Sequence, residues 1–296
     1  MFTGSWRQDY LGINGIKVSI IVPTYNRPKM LDRALRSIQA QVMQDYEIIV
    51  INDAGEDVSE IINKYDKTKY FVHSENKGLT ASRNTGLDHA IGKYITFLDD
   101  DDVIFPVHFS TLIHELETNN SIGAAYTDAY RWENEIYLRR TLSVDYSLTG
   151  LYSGCPFYVM CVMLRRDVFN NHRFDETLPS HEDYDMWLTL SQEIEFKHLP
   201  FITAAYSHRG DGSQISHKPY HQGYFNKVRK KHGVDNVPDY RTRRPKNKIG
   251  RYRVLRAFTG LIFGQTRNLN VGKILDIERD VAREFMRAGY IESVDK

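Results

Sequence analysis

Short apolar runs alternate with helix-period stretches along the first hundred positions, and a proline, glycine or polar cluster marks each change of period. Residues 17–22 (Lys-Val-Ser-Ile-Ile-Val) predict a buried strand stopped by Pro23, and Pro28 suits the first turn of the next helix. On that helix Leu31, Leu35 and Ile38 share a face, with Ala34 beside them. Residues 47–51 predict a second strand running into the polar turn 52–57, residues 58–65 a helix and residues 69–73 a third strand. Residues 76–84 lead into another helix whose core face is expected to hold Leu79, Leu87 and Ile91, and 94–98 (Tyr-Ile-Thr-Phe-Leu) reads as a buried strand. Strand and helix in alternation with short joins predict an α/β fold with a mainly parallel central sheet and right-handed crossovers. Such sheets bind ligands outside the carboxyl ends of their strands. Asn26, Asp53 and the acids at 99–102 all fall on that edge.

The second half is less regular. Residues 105–118 predict a helix carrying Phe109, Leu112, Ile113 and Leu116, and 122–126 a strand. Residues 135–138 are read as an edge strand or hairpin arm. The stretch 139–158 is irregular and aromatic and contains Gly150, Gly154 and Pro156, the pattern of a binding lid. A strand at 159–164 and a short helix at 165–169 follow, and a further helix opens at 180–188 with Ser180 as N-cap and Asp183 as reciprocating acid. Residues 195–199 and 203–206 predict two short strands around Pro200, followed by a polar loop at 207–213 and a basic helix at 220–232. Arg241, Arg243, Arg244, Lys246, Lys248, Arg251 and Arg253 lead into an apolar stretch at 254–263, read as an amphipathic helix. It can lie on an anionic membrane surface, pack on the main lobe or form a dimer face. Residues 271–290 predict a charged amphipathic helix striped with Ile274, Ile277, Val281, Phe285 and Met286.

Composition narrows the picture without choosing a function. With 296 residues, 41% hydrophobic and 26% charged, the chain is long enough for one large core or two fused lobes. A formal net charge of +1 offers no electrostatic argument for nucleic acid. Cys155 and Cys161 are the only cysteines, which excludes a disulfide scaffold and favours a reduced compartment. The start of the chain lacks a signal-peptide pattern, and no apolar run approaches the roughly 18 residues of a spanning helix. The expected location is cytoplasmic; one of the three readings of 241–264 adds peripheral contact at the cytoplasmic membrane face.

The candidate chemistry is concentrated in acids. Asp99, Asp100, Asp101 and Asp102 repel one another where the chain leaves a low-dielectric core. A divalent cation backed by a phosphate would offset that cost, and oxygen ligands suit Mg²⁺ or Mn²⁺. The alternative is a solvated turn capping the helix near Pro106. Arg83 falls close to a buried stripe and needs an anionic partner, either a diphosphate or one of Asp53 and the 99–102 acids. Glu182, Asp183 and Asp185 serve either the helix dipole or, as a general base, an acceptor hydroxyl. His208 is either a cation ligand or a surface histidine. No Gly-x-Gly-x-x-Gly follows the first strand and no Walker-type Gly-Lys-Ser/Thr occurs, which disfavours dinucleotide binding and P-loop hydrolysis.

Taken in order, these segments resemble the family 2 inverting glycosyltransferases of the GT-A fold. Residues 18–27 (Val-Ser-Ile-Ile-Val-Pro-Thr-Tyr-Asn-Arg) look like the family's opening strand and loop, and Asn52-Asp53 like its acidic pair, with Asn52 a departure that leaves the base contact to Asp53. Residues 81–86 (Ala-Ser-Arg-Asn-Thr-Gly) are similar to its arginine-bearing helix, 97–102 to its Asp-x-Asp element, and 182–188 to its acceptor-side segment. The resemblance implies that Pro23, Thr24, Asn26, Asp53, Arg83, Asp99 and Asp100 contact the nucleotide sugar. It implies that Asp101 holds Mn²⁺ or Mg²⁺ with His208 as a further ligand, and that Asp183, or less favoured Glu182, is the base. Asp102 would orient the turn or reach the acceptor. The domain expected at 16–215 divides into a nucleotide-binding half (16–102) and an acceptor half (103–215), with a C-terminal helical extension at 216–296. The implied partners are an NDP-sugar, with UDP favoured over GDP and dTDP, and a carbohydrate, glycolipid or glycoprotein acceptor; self-association is a further expectation. The competing functions are a metal-dependent nucleotidyltransferase and a non-catalytic carbohydrate-binding or scaffold protein on the same fold.

Overall fold

The computed structural model describes residues 16–133, 136–141, 145–209, 214–237, 249–254, 258–262, 265–269, 274–278 and 291–293. The first half follows the predicted alternation: β1 (Val18–Thr24), α1 (Pro28–Gln39), β2 (Tyr46–Asn52), α2 (Ser59–Ile62), β3 (Thr68–Val72), α3 (Leu79–His89) and β4 (Tyr94–Phe97). These four strands are parallel and lie in the order β3-β2-β1-β4. Every residue of β1, β2 and β4 is buried. Burial on both faces explains why they read as near-continuous apolar runs rather than alternating ones.

The second half contributes β5 (Val103–Ile104), α4 (His108–Thr118), β6 (Ile122–Glu133), β7 (Ile136–Thr141), α5 (Leu148–Ser153), β8 (Val162–Arg165), α6 (Glu182–Leu190), β9 (Glu195–Ser207) and α7 (His221–Lys231). The sheet continues through β4-β8-β6-β9-β5, with β7 paired to β6. Here it is mixed: β8 enters antiparallel between β4 and β6, β9 runs parallel to β6, and β5 runs antiparallel to β9. The two short strands expected around Pro200 are one strand, β9. The β6–β9 register shifts on both sides of Asp128, and such an irregularity tolerates a proline that cannot donate to the ladder. Ser147 begins α5 within the irregular stretch, its Oγ accepting the Gly150 N–H at 3.0 Å.

Helices cover both faces of the sheet. α1, α2 and α4 bury Leu31, Leu35, Ile38, Val58, Ile62, Phe109 and Leu112 on one side. α3, α6 and α7 bury Leu87, Tyr184, Trp187, Phe225 and Val228 on the other. The face expected for α3 needs correction. Leu87 is buried, but Ile91 is 56% exposed and Leu79 half-buried, while Thr80, Ser82, Arg83 and Asn84 are buried. That polar face is held by specific bonds: Asn84 Nδ2 donates to Phe174 O at 3.0 Å and to Glu176 Oε1 at 2.8 Å, and Asn84 Oδ1 accepts the Phe174 N–H at 2.9 Å. Gly86 lets α3 sit close on β1, since a Cβ there would run into Ile21.

The C-terminal extension opens with α7, within the helix expected at 220–232. Beyond it the backbone forms β10 (Ile249–Val254), β11 (Phe258–Ile262), β12 (Gln265–Leu269), β13 (Ile274–Glu278) and β14 (Ile291–Ser293), as a β13-β10-β14 sheet and a β11-β12 hairpin. Within the stretches 254–263 and 271–290, where amphipathic helices were expected, residues 258–262 and 274–278 are strands, and most of 271–290 lies outside the described residues. Each strand segment is short and carries Ile, Val, Phe, Tyr or Thr, and such residues favour the pleated form. Residues 241–248 of the basic stretch lie outside the described residues. Among the described residues no helix is long and apolar enough to cross a membrane.

Candidate active site

A cleft of about 600 Å³ opens at the carboxyl ends of β1, β2 and β4. Pro23, Thr24, Tyr25 and Arg27 line it after β1, Asp53 after β2, Asn76, Gly78, Leu79 and Ser82 at the entry of α3, and Asp99, Asp100 and Asp101 after β4. The second half closes it with Tyr206, Arg209, Gln214, Ile215, Ser216, Lys218 and Tyr220. Pro23, Thr24, Asp53, Asp99, Asp100 and Asp101 thus reach the wall of one cleft. Asn26, Arg83, Glu182, Asp183 and His208 are not among its lining residues.

Two of the expected nucleotide contacts hold neighbouring loops in place. Asn26 adopts a left-handed backbone (φ 54°), and its Oδ1 accepts the Glu56 N–H at 2.8 Å. Asp53 accepts the Lys77 N–H on Oδ1 and the Gly78 N–H on Oδ2, each at 2.8 Å, with His73 Nδ1 2.7 Å from Oδ1. Its carboxylate folds the 76–78 loop over the edge of β2 and so shapes the cleft.

The acidic run is neither a solvated turn nor an uncompensated cluster. Asp100, Asp101 and Asp102 are buried. Thr24 Oγ1 donates to Asp100 Oδ2 at 2.9 Å, and Arg27 Nη1 reaches Asp100 Oδ1 at 3.0 Å and Asp101 Oδ2 at 3.6 Å. Arg209 Nη2 lies 3.0 Å from the same Asp101 oxygen. Asp102 accepts the Ser207 N–H at 2.8 Å, which ties the run to the end of β9. Burial pushes the Asp100 carboxyl up to about 6, against the pull of Arg27 and with the charge of Asp101 adding to it. Burial and the charge of Asp99 likewise raise Asp101, with Arg209 and Arg27 opposing. Burial and the charges of Asp101 and Asp99 hold Asp102 well above the usual range, with the Ser207 N–H opposing. Arg27, Arg209 and Lys218 are cleft residues that sequence reasoning missed. For Arg27 the signal was its place directly after the first strand's loop. Arg209 is separated from the acids by more than a hundred positions, so only the fold pairs them.

Arg83 joins this cluster to a second one. The guanidinium is 1% exposed, lies 2.7 Å from Asp99 Oδ1 through Nη2, and donates through Nη1 to Glu182 Oε1. Its partner is therefore an acid of the 99–102 run together with Glu182, and not Asp53. Burial opposes its charge, but Asp99, Glu182 and Asp183 outweigh that and raise its pKa. Glu182 and Asp183 form the first turn of α6, where Ser180 is not the cap. The N-cap is His181, in a left-handed conformation (φ 60°, ψ 23°) without a side-chain cap. Ser180 Oγ instead bonds the ring nitrogens of His181 and His221, and Asp183 Oδ1 accepts the Tyr184 N–H at 2.7 Å. Among the described residues Asp183 makes no ion pair. Burial and the adjacent Glu182 push its pKa up, and Arg83 opposes them.

A divalent cation is compatible with this edge on the chemistry of its donors. Asp99 and Asp101 are hard oxygen donors at the cleft, and one or two carboxylates plus substrate phosphate oxygens is a usual magnesium arrangement. Among the described residues no three His, Cys, Asp or Glu side chains converge on one point, so His208 is not assembled with two of the acids. Its N–H donates to Trp132 O at 2.6 Å, and its ring stands edge-on to His217 with centroids 5.0 Å apart.

Comparison with known proteins gives the arrangement a setting. Residues 19–173 match the family described as glycosyl transferase family 2. The chain is 33% identical over 193 residues to an uncharacterized glycosyltransferase of Rickettsia conorii, covering 61% of this chain and 31% of that protein. It is 31% identical over 201 residues to the GalNAc(5)-diNAcBac-PP-undecaprenol beta-1,3-glucosyltransferase of Campylobacter jejuni, covering 61% of each. The chain spans about a third of the length of the rickettsial relatives it matches. The S. aureus TarS 1–349 structure in complex with UDP-GlcNAc superposes with a TM-score of 0.63 at 22% identity, over 75% of this chain and 67% of that one, which is a shared fold.

Proposed function

The chain belongs to glycosyl transferase family 2, and from that premise we propose that it moves a sugar from an NDP-sugar to an acceptor hydroxyl with inversion at the anomeric carbon. One observation carries the assignment of roles. Of the three acids in the first turn of α6, Glu182 is held by Arg83, Asp185 by Lys231 and His232, and Asp183 alone lacks a cation in contact among the described residues. A carboxylate kept from full ion pairing, with a raised pKa, is suited to accept a proton.

In this reading the diphosphate lies in the cleft across the ends of β1 and β4, where Asp99, Asp101, Arg27 and Arg209 surround it. Asp183 takes the proton of the acceptor hydroxyl as its oxygen attacks the anomeric carbon from the face opposite the diphosphate. The bond from that carbon to the diphosphate oxygen breaks in the same displacement, so no covalent sugar–enzyme intermediate forms. Arg83, gripping Asp99 and Glu182 at once, fixes the distance between the donor edge and the base-bearing turn. Mn²⁺ or Mg²⁺, held by Asp101 and the diphosphate, would supply Lewis-acid neutralisation of the leaving group. UDP is our first choice of nucleotide, and a carbohydrate, free or lipid-linked, our acceptor class; the names of TarS bound to UDP-GlcNAc and of the Campylobacter glucosyltransferase support those choices.

The test begins with a thermal-shift screen of UDP-, GDP- and dTDP-sugars with and without Mn²⁺. The donor with the largest shift is then followed for release of free nucleotide. Asp183→Asn is expected to cut turnover by roughly 10²- to 10⁴-fold while the donor-induced shift survives. Turnover near the wild-type rate would remove Asp183 from its role.

A further inference from the structure

α6 begins under conditions that do not fix its first turn from within. His181 is a non-glycine residue in the left-handed region and contributes no side-chain cap, so the turn carrying Glu182 and Asp183 depends on restraint from outside. Arg83 supplies one restraint, on Glu182. The Tyr184 hydroxyl supplies another, donating to Leu151 O at 2.9 Å and Tyr152 O at 3.2 Å, and further restraints come from α7, which like α6 lies beyond the residues that match the family.

α7 grips the turn on both flanks of Asp183. Ahead of it, His221 Nδ1 lies 2.7 Å from Ser180 Oγ, which is 2.9 Å from His181 Nδ1, and the His181 and His221 rings face each other with centroids 4.0 Å apart. Behind it, Lys231 Nζ reaches Asp185 Oδ2 at 2.9 Å and His232 Nε2 reaches Asp185 Oδ1 at 2.8 Å. Lys231 also holds Asp175, at 2.9 Å. Between these anchors Phe225 stacks on Tyr184, with centroids 5.5 Å apart. Tyr184, held between these anchors, is the residue whose N–H donates to Asp183 Oδ1, at 2.7 Å. α7 also begins directly after Tyr220, a residue of the cleft wall, so one continuous segment borders the cleft and steadies the turn.

We propose that His221 and Lys231 are positioning residues for Asp183, so that α7 sets the aim of the base while the donor edge, through Arg83, sets its distance. The inference rests on the reading of Asp183 as the base. Misplacement of a reacting group by an ångström or less lowers the rate of the chemical step while leaving donor binding intact. A residue that only supports the fold has no such signature.

The experiment uses the full chain and the sugar nucleotide that gave the largest thermal shift in the UDP, GDP and dTDP panel, with release of free nucleotide as the readout. His221→Phe keeps an aromatic ring and removes the Nδ1 bond, and Lys231→Met keeps the stem and removes the charge. Each is expected to lower kcat by roughly 10- to 100-fold with donor KM within about twofold of wild type and an unchanged donor-induced thermal shift. His221→Asn, which restores a polar atom near Ser180, and Lys231→Arg, which restores the cation, should recover most of the loss. Wild-type kcat in His221→Phe and Lys231→Met, or a loss that the conservative variants fail to recover, would overturn the proposal. Asp183→Asn separates the two levels. If it turns over normally, the base reading fails; if it is inactive while the α7 variants are normal, only the positioning role fails.

Discussion

The acidic run after β4 and the acidic turn that opens α6 look alike in sequence, yet the protein compensates them in different ways. In the run, Asp100 and Asp101 meet Arg27 and Arg209, Asp102 meets a backbone N–H, and Asp99 meets Arg83. In the turn, Glu182 and Asp185 are matched to cations and Asp183 is not. The run therefore resembles a braced platform with carboxylates facing a cleft, and the turn a brace around one reactive group. Arg83 is the only cation among the described residues that touches both clusters. A cluster of acids does not reveal its role by its own composition; the cations brought to it by distant parts of the chain do.

The largest effect should come from that shared cation. Arg83→Met leaves Asp99 and Glu182 facing each other beside Asp183 with no cation between them. Breaking a buried pair in this way costs about 3–5 kcal/mol, measured by urea unfolding. Arg27→Met removes a partner whose side chain is 37% exposed and should cost about 1 kcal/mol or less. Equal losses in the two variants would mean that the clusters are not linked through Arg83.

The platform itself should show an inverted dependence of stability on pH. Asp100 is held at about 6, above its ordinary 3.8, so the folded state binds the proton more tightly than the unfolded chain does. Stability from this group is present below about 4 and is lost as pH rises through 6. Relative to wild type, Asp100→Asn should therefore gain stability between about pH 4 and pH 7, by on the order of 3 kcal/mol at most. A flat difference across that range would show that Arg27 offsets the burial of Asp100 in full.

Much of the platform was legible in sequence because it sits where regular patterns end. The apolar runs of β1, β2 and β4 announce themselves, so Thr24, Asp53 and Asp99 fall at strand ends without knowledge of the fold. The acidic turn was half legible. Its acids were visible, but the favourable dipole and a Ser180 cap explained them equally well, and only the fold, which makes His181 the N-cap and turns the Ser180 hydroxyl to two imidazoles, excludes that cap. α3 misled because the expected stripe assumed an apolar buried face, whereas Arg83, Asn84 and Thr80 are buried by bonds to segments about a hundred positions away. The strands beyond α7 were missed for a related reason: charged residues between Ile, Val and Phe fit either period over so few positions.

A smaller effect should set stability against activity within the turn. Asp183 has a raised pKa, so its charged form costs the fold something at neutral pH and nothing once it is protonated. Asp183→Asn should raise the melting temperature at pH 8, and the gain should shrink on acidification, in the same protein that has lost turnover. A melting temperature lowered at pH 8 would indicate that Asp183 stabilises the turn as an anion, contrary to its assignment.

The finest test concerns the acid limb of the turnover profile. Asp183 must be ionised to accept a proton, so its raised pKa places the fall in rate at higher pH than an ordinary carboxylate would. Burial is the first cause of that rise and Glu182 the second. Glu182→Gln removes the like charge and frees Arg83 from one of its two partners, and both changes favour the Asp183 anion. The limb should move to lower pH by roughly 1 unit, with burial keeping it above the ordinary carboxylate range. A limb that moves upward would mean that Arg83 acts on Asp183 mainly through its grip on Glu182, and that the two acids work as a coupled pair rather than as base and anchor.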